Sequence, residues 1–165
     1  MTVTSVHKDT EALTMTITAE YSSPVDRVWQ LWADPRLLEK WWGPPTYPAT
    51  FEEHDLSPGG TVTYYMTGPE GDQPRGWWRV TSVDAPHRLE FEDGFADDNG
   101  NPNPELPTMT VRVTLSEKDV GTQMEIETTF GSTEAMEEIL AMGAEEGMRQ
   151  AVGQIDGLLR EAAAR

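Results

Sequence analysis

Cysteine is missing from the 165-residue sequence, and histidine is rare. The missing cysteine excludes disulfides, thiolate nucleophiles, zinc ribbons and iron–sulfur clusters. The three histidines, His7, His54 and His87, lie far apart in the sequence, and no HExxH motif is present. Neither a metal site nor a bound cofactor is therefore expected.

Long apolar runs and positive charges are also scarce. No stretch approaches the ~20 apolar residues of a membrane-spanning helix, and the N-terminus lacks a basic start and a hydrophobic stretch, so we expect a cytoplasmic protein. With 29 acidic against 12 basic residues, the formal charge is −17. This charge repels phosphate backbones and anionic lipid head groups, so neither nucleic acid nor a membrane is an expected partner. The acidic surface serves solubility or docks a protein partner, and a homodimer is a further alternative.

Alternating residues and capping residues predict the first elements of the fold. Residues 12–21, ALTMTITAEY, alternate between apolar and polar side chains and predict the first strand. Ser23 as an N-cap before Pro24 predicts a short helix, and Asp34 before Pro35 predicts a second one. Two small helices therefore follow the first strand.

The remainder of the chain predicts a meander of strands and a terminal helix. Four strand patterns separated by turn residues occupy residues 46–95, and two further alternating strands follow. Ser132 caps a helix that extends to about residue 163. The predicted fold class is α+β, in which a curved antiparallel sheet of about seven strands wraps around a long C-terminal helix. One domain over residues 1–165, with its core at about 11–163, accounts for the composition.

The terminal helix carries four glycines, Gly143, Gly147, Gly153 and Gly157. Glycine in a helix interior costs about 1 kcal/mol relative to alanine, so these residues require a reason. At about 100° per residue, all four lie within an arc of about 120°, away from the centre of the apolar stripe. Either this flank packs closely against another element, or the missing side chains leave volume for a molecule that is not protein.

Aromatic and methionine side chains on the strands and short helices favour a cavity, although they equally suit an ordinary core. Adjacent strand residues face opposite sides, so at most one of Trp77 and Trp78, and one of Tyr64 and Tyr65, points inward. If Arg79 points inward, it must pair with a carboxylate of the protein or of a ligand. The candidate cavity residues are Trp41, Trp42, Phe51, Tyr64, Met66, Trp77, Arg79, Phe91, Met109, Met124, Met136, Gly143 and Gly147.

Catalytic motifs are missing from the sequence. It contains no GxSxG, Walker or GxGxxG motif. His54 and Asp55 are neighbours on a predicted strand, so they face opposite sides and cannot form a dyad. His54 is better explained as a solvent-facing or turn-bonded residue than as a general base. No catalytic residue is assigned.

Several motifs together resemble one family. They are VWQLWADPRLLEKWWGPP, DLSPGG before YYM, GWWRVTSVDAPHRLEF, and GT before the last strand, followed by the long helix. This set resembles the SRPBCC (START-like) superfamily, and in particular the branch named for the C-terminal domain of the activator of heat-shock-protein-90 ATPase. The resemblance covers about residues 14–160. Many relatives have a Gly-Trp pair in the final helix, whereas this chain has MGAEEGM there.

The resemblance implies a helix-grip fold with a hydrophobic cavity between the sheet and the C-terminal helix. Relatives in the superfamily bind lipids, sterols, polyketides or plant hormones, and a few catalyse cyclisation or hydrolysis. The leading hypothesis is therefore a non-catalytic module that binds a small apolar or aromatic molecule. The alternatives are a chaperone-associated interaction domain and a cyclase- or hydrolase-type enzyme, which would need a buried titratable residue in the cavity.

Overall fold

The computed structural model describes residues 3–119 and 121–163, which form one antiparallel sheet and five helices. The strands are β1 Val3–Asp9, β2 Thr14–Tyr21, β3 Ala49–His54, β4 Thr61–Met66, β5 Arg75–Asp84, β6 Arg88–Ala96, β7 Met109–Lys118 and β8 Gly121–Phe130. The helices are α1 Val25–Ala33, α2 Pro35–Leu38, α3 Thr133–Ala141, α4 Ala144–Gly153 and α5 Ile155–Ala163. Within these described residues, no helix has the length and apolar character that crossing a membrane requires.

The sheet follows the order β1-β2-β8-β7-β6-β5-β4-β3. Strands β3 to β8 form the expected meander, and β2 closes it by pairing with β8. The alternation in β2 is confirmed, because Met15, Ile17, Ala19 and Tyr21 are all buried. One face of the sheet is thus apolar and packs against the helices.

The sheet contains one strand that the sequence pattern did not predict. Strand β1 pairs with β2 and lies at the edge of the sheet. It has no period-two burial, since only Val3, Val6 and Asp9 are half-buried and the other residues are exposed. An edge strand with both faces wet carries no alternation signal. The two short helices therefore follow the second strand rather than the first.

Helices α1 and α2 begin close to the predicted positions. Helix α1 begins at Val25 with Pro24 in the N-cap position, so the Ser23 side chain does not cap it. The Asp34 carboxylate accepts a hydrogen bond from the Arg36 N–H at 2.9 Å, and Pro35 occupies the first helical position. This second cap is the one that the sequence predicted.

The C-terminal helical region is interrupted rather than continuous. Its start is confirmed, because the Ala135 N–H donates to the Ser132 Oγ at 3.0 Å. The first break lies at Gly143, whose φ of +88° is a left-handed conformation that glycine adopts without strain. The second lies at Gln154, whose Nε2 donates to the Gly43 carbonyl oxygen at 2.7 Å. The C-terminal region therefore consists of three short helices instead of one long helix.

Buried side chains form two apolar clusters. The larger cluster is built around three fully buried indoles, of which Trp32 and Trp41 have ring centroids 4.7 Å apart and Trp78 stacks on Phe91 at 4.0 Å. The smaller cluster consists of Met15, Ile17, Phe130, Met136 and Ile139, and it joins α3 to strands β2 and β8. Residues of both clusters line a cleft between the sheet and helices α3 and α4.

Candidate ligand-binding cleft

A cleft of about 280 Å³ lies between the apolar face of the sheet and helices α3 and α4. Strands β2, β4, β6, β7 and β8 supply its floor, and residues 42–44 close one side. The lining residues are Met15, Trp42, Pro44, Tyr64, Met66, Asp93, Phe95, Met109, Val111, Thr128, Phe130, Ile139, Met142, Gly143, Ala144, Gly147 and Met148.

Methionine is the most frequent residue in this lining. Met15, Met66, Met109, Met142 and Met148 all contribute to it. The unbranched thioether side chain adapts its shape, so a methionine-rich wall accommodates irregular apolar surfaces. Met142 is 54% exposed at the end of α3, which is unusual for a large apolar side chain. The cleft is therefore adaptable and opens to solvent beside α3.

Two of the four helix glycines border the cleft. A Cβ atom built on Gly143 or Gly147 would meet no atom of another element within 4 Å. These positions are therefore not sites of close packing, and the missing side chains leave open volume beside the helix. Gly153 and Gly157 also have open space around them, but neither lines the cleft. Gly153 lies six residues after Gly147 in the same helix, about 120° around its axis, and Gly157 lies in α5 beyond the break at Gln154.

One carboxyl group lies inside this apolar cleft. On β6, the residues Leu89, Phe91 and Asp93 alternate toward the inner face, and Asp93 is only 9% exposed. Burial raises the pKa of this carboxyl from 3.8 to about 7, although hydrogen bonds from Tyr64 and Gly94 act in the opposite direction. Sequence reasoning missed Asp93, yet the period-two pattern of RLEFEDGF already placed it on the same face as Leu89 and Phe91.

The Tyr64 hydroxyl lies beside Asp93, and the two groups together form the polar end of the cleft. It donates to Asp93 Oδ1 across 3.4 Å, a long hydrogen bond. Burial raises the pKa of Tyr64 well above 10.0, the Asp93 charge raises it further, and the indoles of Trp42 and Trp78 act in the opposite direction. Among the described residues, neither indole N–H has an acceptor in hydrogen-bond geometry. Tyr64 therefore stays protonated.

Six of the candidates named from the sequence line the cleft. They are Trp42, Tyr64, Met66, Met109, Gly143 and Gly147. These residues lie on five separate stretches of the chain, namely the segment after α2, strands β4 and β7, the break after α3, and helix α4. The fold thus brings them together.

Five other candidates lie in the core instead of the cleft. Trp41, Phe51, Phe91, Met124 and Met136 are all at most 3% exposed and are covered by protein neighbours. The Trp41 Nε1 donates to the Leu31 carbonyl oxygen at 2.9 Å. The Met124 Sδ accepts from the indole of the buried Trp32. These residues fill space between elements, so the structure corrects their predicted place.

Trp77 and Arg79 lie on the opposite face of the sheet. The buried residues of β5 are Gly76, Trp78 and Val80, so the inward indole is Trp78. The Trp77 Nε1 donates to the Phe95 carbonyl oxygen at 3.0 Å, and Arg79 is exposed. The interpretation of Arg79 as a partner for a ligand is therefore corrected, since its side chain and the cleft lie on different faces.

Other titratable groups do not join the cleft. The His54 Nε2 lies 3.0 Å from the Trp32 carbonyl oxygen, which can only accept, so this nitrogen carries the hydrogen. In residues 3–119 and 121–163, no group of three or more His, Asp or Glu side chains is arranged to hold a metal ion. No Lys, Arg or His is found among the described residues that line the cleft.

Comparisons with known proteins place this geometry in a family. The sequence model of the family described as Activator of Hsp90 ATPase homolog 1-like protein matches residues 22–160. A crystal structure of a Mycobacterium smegmatis protein is 53% identical, with a TM-score of 0.89 over 95% of this chain and 96% of that chain. A solution structure of an Arthrobacter aurescens protein is also 53% identical, with a TM-score of 0.93 over 97% of this chain and 93% of that chain. No curated protein matches the chain.

A more distant structure extends the likeness of the fold alone. The crystal structure of the AHSA1 protein from Silicibacter pomeroyi is 18% identical in sequence, with a TM-score of 0.73 over 90% of this chain and 99% of that chain. These neighbours confirm the helix-grip fold that the sequence motifs implied.

Proposed function

Because the chain belongs to the family of Activator of Hsp90 ATPase homolog 1-like proteins, within the SRPBCC superfamily, we propose that its cleft binds one small apolar or aromatic molecule. Membership in this superfamily implies a ligand-binding cavity between sheet and helix. The observation that carries the proposal is the open space beside Gly143 and Gly147, which both border the cleft. Gly143 is required by its left-handed backbone, whereas Gly147 lies inside a regular helix, so the open space beside Gly147 is the space that a ligand can fill.

The size and lining of the cleft support a compact ligand. Its volume of about 280 Å³ is near the lower end of the range of about 300–1,000 Å³ that small-molecule sites occupy. Methionines adapt to the outline of a guest, and the rings of Trp42, Phe95 and Phe130 supply flat apolar contact. Tyr64 and Asp93 supply the few polar groups that orient a ligand in such a site.

Filling the open space beside α4 tests this proposal. The probe is phenylbutanol, which is neutral and has one apolar end, and binding is measured by titration calorimetry. Gly147→Leu introduces a side chain at the cleft, whereas Gly153→Leu introduces the same side chain at an exposed position of the same helix. We expect Gly147→Leu to weaken binding at least about tenfold, and Gly153→Leu to leave it unchanged. Equal binding by both variants, or no binding by the wild-type protein, would overturn the proposal.

A cyclase- or hydrolase-type activity stays a second candidate. That alternative requires a buried titratable residue in the cleft with a shifted pKa, and Asp93 meets this condition. An enzyme of this type would lose turnover in Asp93→Asn while it still bound its substrate. The chaperone-associated interaction domain stays a prediction, to be tested by salt-sensitive capture of a basic partner.

A further inference from the structure

Among the residues that the structure describes, the buried Asp93 has no positively charged partner. The residues opposite it in the sheet are Trp78 on β5 and Met109 on β7, and neither can carry a charge. Tyr64 on β4 is the other titratable residue that lines the cleft, and it stays protonated. On the helix side, the lining consists of apolar residues and glycines. In the part of the chain that the structure describes, nothing in the cleft neutralises an ionised Asp93.

The carboxyl group also has unused capacity for hydrogen bonds. An ionised carboxylate offers about four lone-pair sites. The Tyr64 hydroxyl occupies one of them through a bond of 3.4 Å, which is longer than the ~2.5–3.0 Å of a strong O–H···O bond, and the Gly94 backbone N–H donates to another. Since Asp93 lines the cleft, the remaining sites are available to a molecule inside it. A ligand that donates hydrogen bonds to the free acceptor sites of the buried Asp93 carboxylate would complete them.

We propose that the natural ligand carries one protonated amine, which pairs with the Asp93 carboxylate while its apolar body contacts the methionines and rings of the cleft. This inference rests on the proposed function, because it names the chemical class of the ligand for the same site. An ammonium group supplies both the charge and the hydrogen bonds that Asp93 lacks. The same carboxylate repels fatty acids, aromatic acids and other anionic ligands.

Three further features of the molecule favour a cationic ligand. The rings of Trp42 and Tyr64 flank the polar end of the cleft, and aromatic faces attract cations. The polarizable sulfur atoms of the methionines add soft contacts around it. The formal charge of −17 raises the local concentration of cations at the surface and lowers that of anions.

Three probes with one phenyl-alkyl body test the proposal on the wild-type protein. They are phenylbutylamine, phenylbutanol and phenylbutyrate, and their dissociation constants are measured by calorimetry above neutral pH. We expect the amine to bind at least about tenfold more tightly than the alcohol, and the carboxylate to bind most weakly. A carboxylate that binds as tightly as the amine would overturn the inference.

Two variants separate the local carboxylate from the overall charge. Asp93→Asn removes the charge inside the cleft, and Glu92→Gln removes a charge from the neighbouring residue on the same strand, which does not line the cleft. The preference for the amine over the alcohol should disappear in Asp93→Asn and persist in Glu92→Gln. If both variants still prefer the amine to the alcohol, the overall negative charge of the protein causes this preference, and the inference is wrong.

The alcohol distinguishes the two proposals. If phenylbutanol binds but the amine has no advantage, the cleft is a binding site and only the assignment of an amine ligand fails. If none of the three probes binds the wild-type protein, the proposed function fails with it.

Discussion

The Tyr64 hydroxyl donates a hydrogen bond to Asp93 Oδ1 across 3.4 Å, from strand β4 to strand β6, at the polar end of an apolar cleft. Both side chains are less than one tenth exposed. Because an ionised carboxylate in such surroundings loses its hydration, this pair connects the stability of the fold to the chemistry of the site.

Asp93 should make the protein less stable as the pH rises. The carboxyl holds its proton up to a pH of about 7 in the folded chain, whereas its usual pKa is 3.8. The contribution of Asp93 to the free energy of unfolding is therefore fully present below its pKa in the unfolded chain. This contribution is lost as the pH rises through its pKa in the folded chain. At about 1.4 kcal/mol for each pKa unit, the loss reaches up to about 4 kcal/mol.

Urea unfolding of the wild-type protein and two variants measures this effect. The free energy of unfolding of Asp93→Asn, relative to the wild-type protein, should rise by a few kcal/mol between about pH 4 and about pH 8. Glu92→Gln serves as the control and should follow the wild-type profile. Parallel profiles for the wild-type protein and Asp93→Asn would contradict the assignment of the raised pKa to Asp93.

The affinity for an amine should depend on pH, whereas the affinity for an alcohol should not. An ammonium group pairs only with the ionised carboxylate, and the pKa of Asp93 in the empty cleft is about 7. Below this value each pH unit should weaken phenylbutylamine binding up to about tenfold, because Asp93 must first release its proton. Calorimetry on both sides of neutrality checks this. A flat profile for the amine would show that Asp93 does not pair with it.

Alanine at two neighbouring glycines should change stability in opposite directions. Gly143→Ala places a Cβ on a residue with a φ of +88° and should cost about 1–2 kcal/mol. Gly147→Ala lies in helix α4 with open space around it and should gain about 0.5–1 kcal/mol. Urea unfolding of both variants is the measurement. Stabilisation by both would mean that the helix does not break at Gly143.

Adjacent tryptophans on β5 should contribute unequally to stability. Trp78 is fully buried and stacks on Phe91, so Trp78→Ala should cost about 3–5 kcal/mol. Trp77 lies half-buried on the other face above Gly94, so Trp77→Ala should cost less than half as much. Thermal or urea unfolding compares the two variants. Equal losses would show that β5 presents both indoles to comparable packing.

The inward faces of the strands were predictable because alternation is a local property. In β2, β7 and β8, the residues that alternate in the sequence are those that the structure buries, except that Met109 at the start of β7 is half-buried beside the cleft. The Asp34–Pro35 cap and the Ser132 cap were also predictable, because each cap involves neighbours within three residues. Strand β1 was not predictable, because an exposed edge strand has no buried face that requires apolar and polar residues to alternate.

The cleft required contacts that no local pattern contains. Its lining comes from five strands and two helices, and whether a buried aromatic borders the opening or fills the core depends on how these elements pack. Thus Trp42 borders it, while the adjacent Trp41 is held in the core by the Leu31 carbonyl oxygen. Of the four helix glycines, only Gly143 and Gly147 are placed beside the cleft by the way α3 and α4 pack on the sheet.

The amino-acid sequence alone determined the family, the meander and the apolar face of the sheet, because alternation and capping act between residues that are close in the chain. Only the tertiary structure decided that Asp93 is enclosed with no cationic side chain of the described residues lining the cleft beside it. That property depends on every element around the carboxyl group, since burial in an apolar surrounding is a sum over neighbours that the chain brings together from a distance.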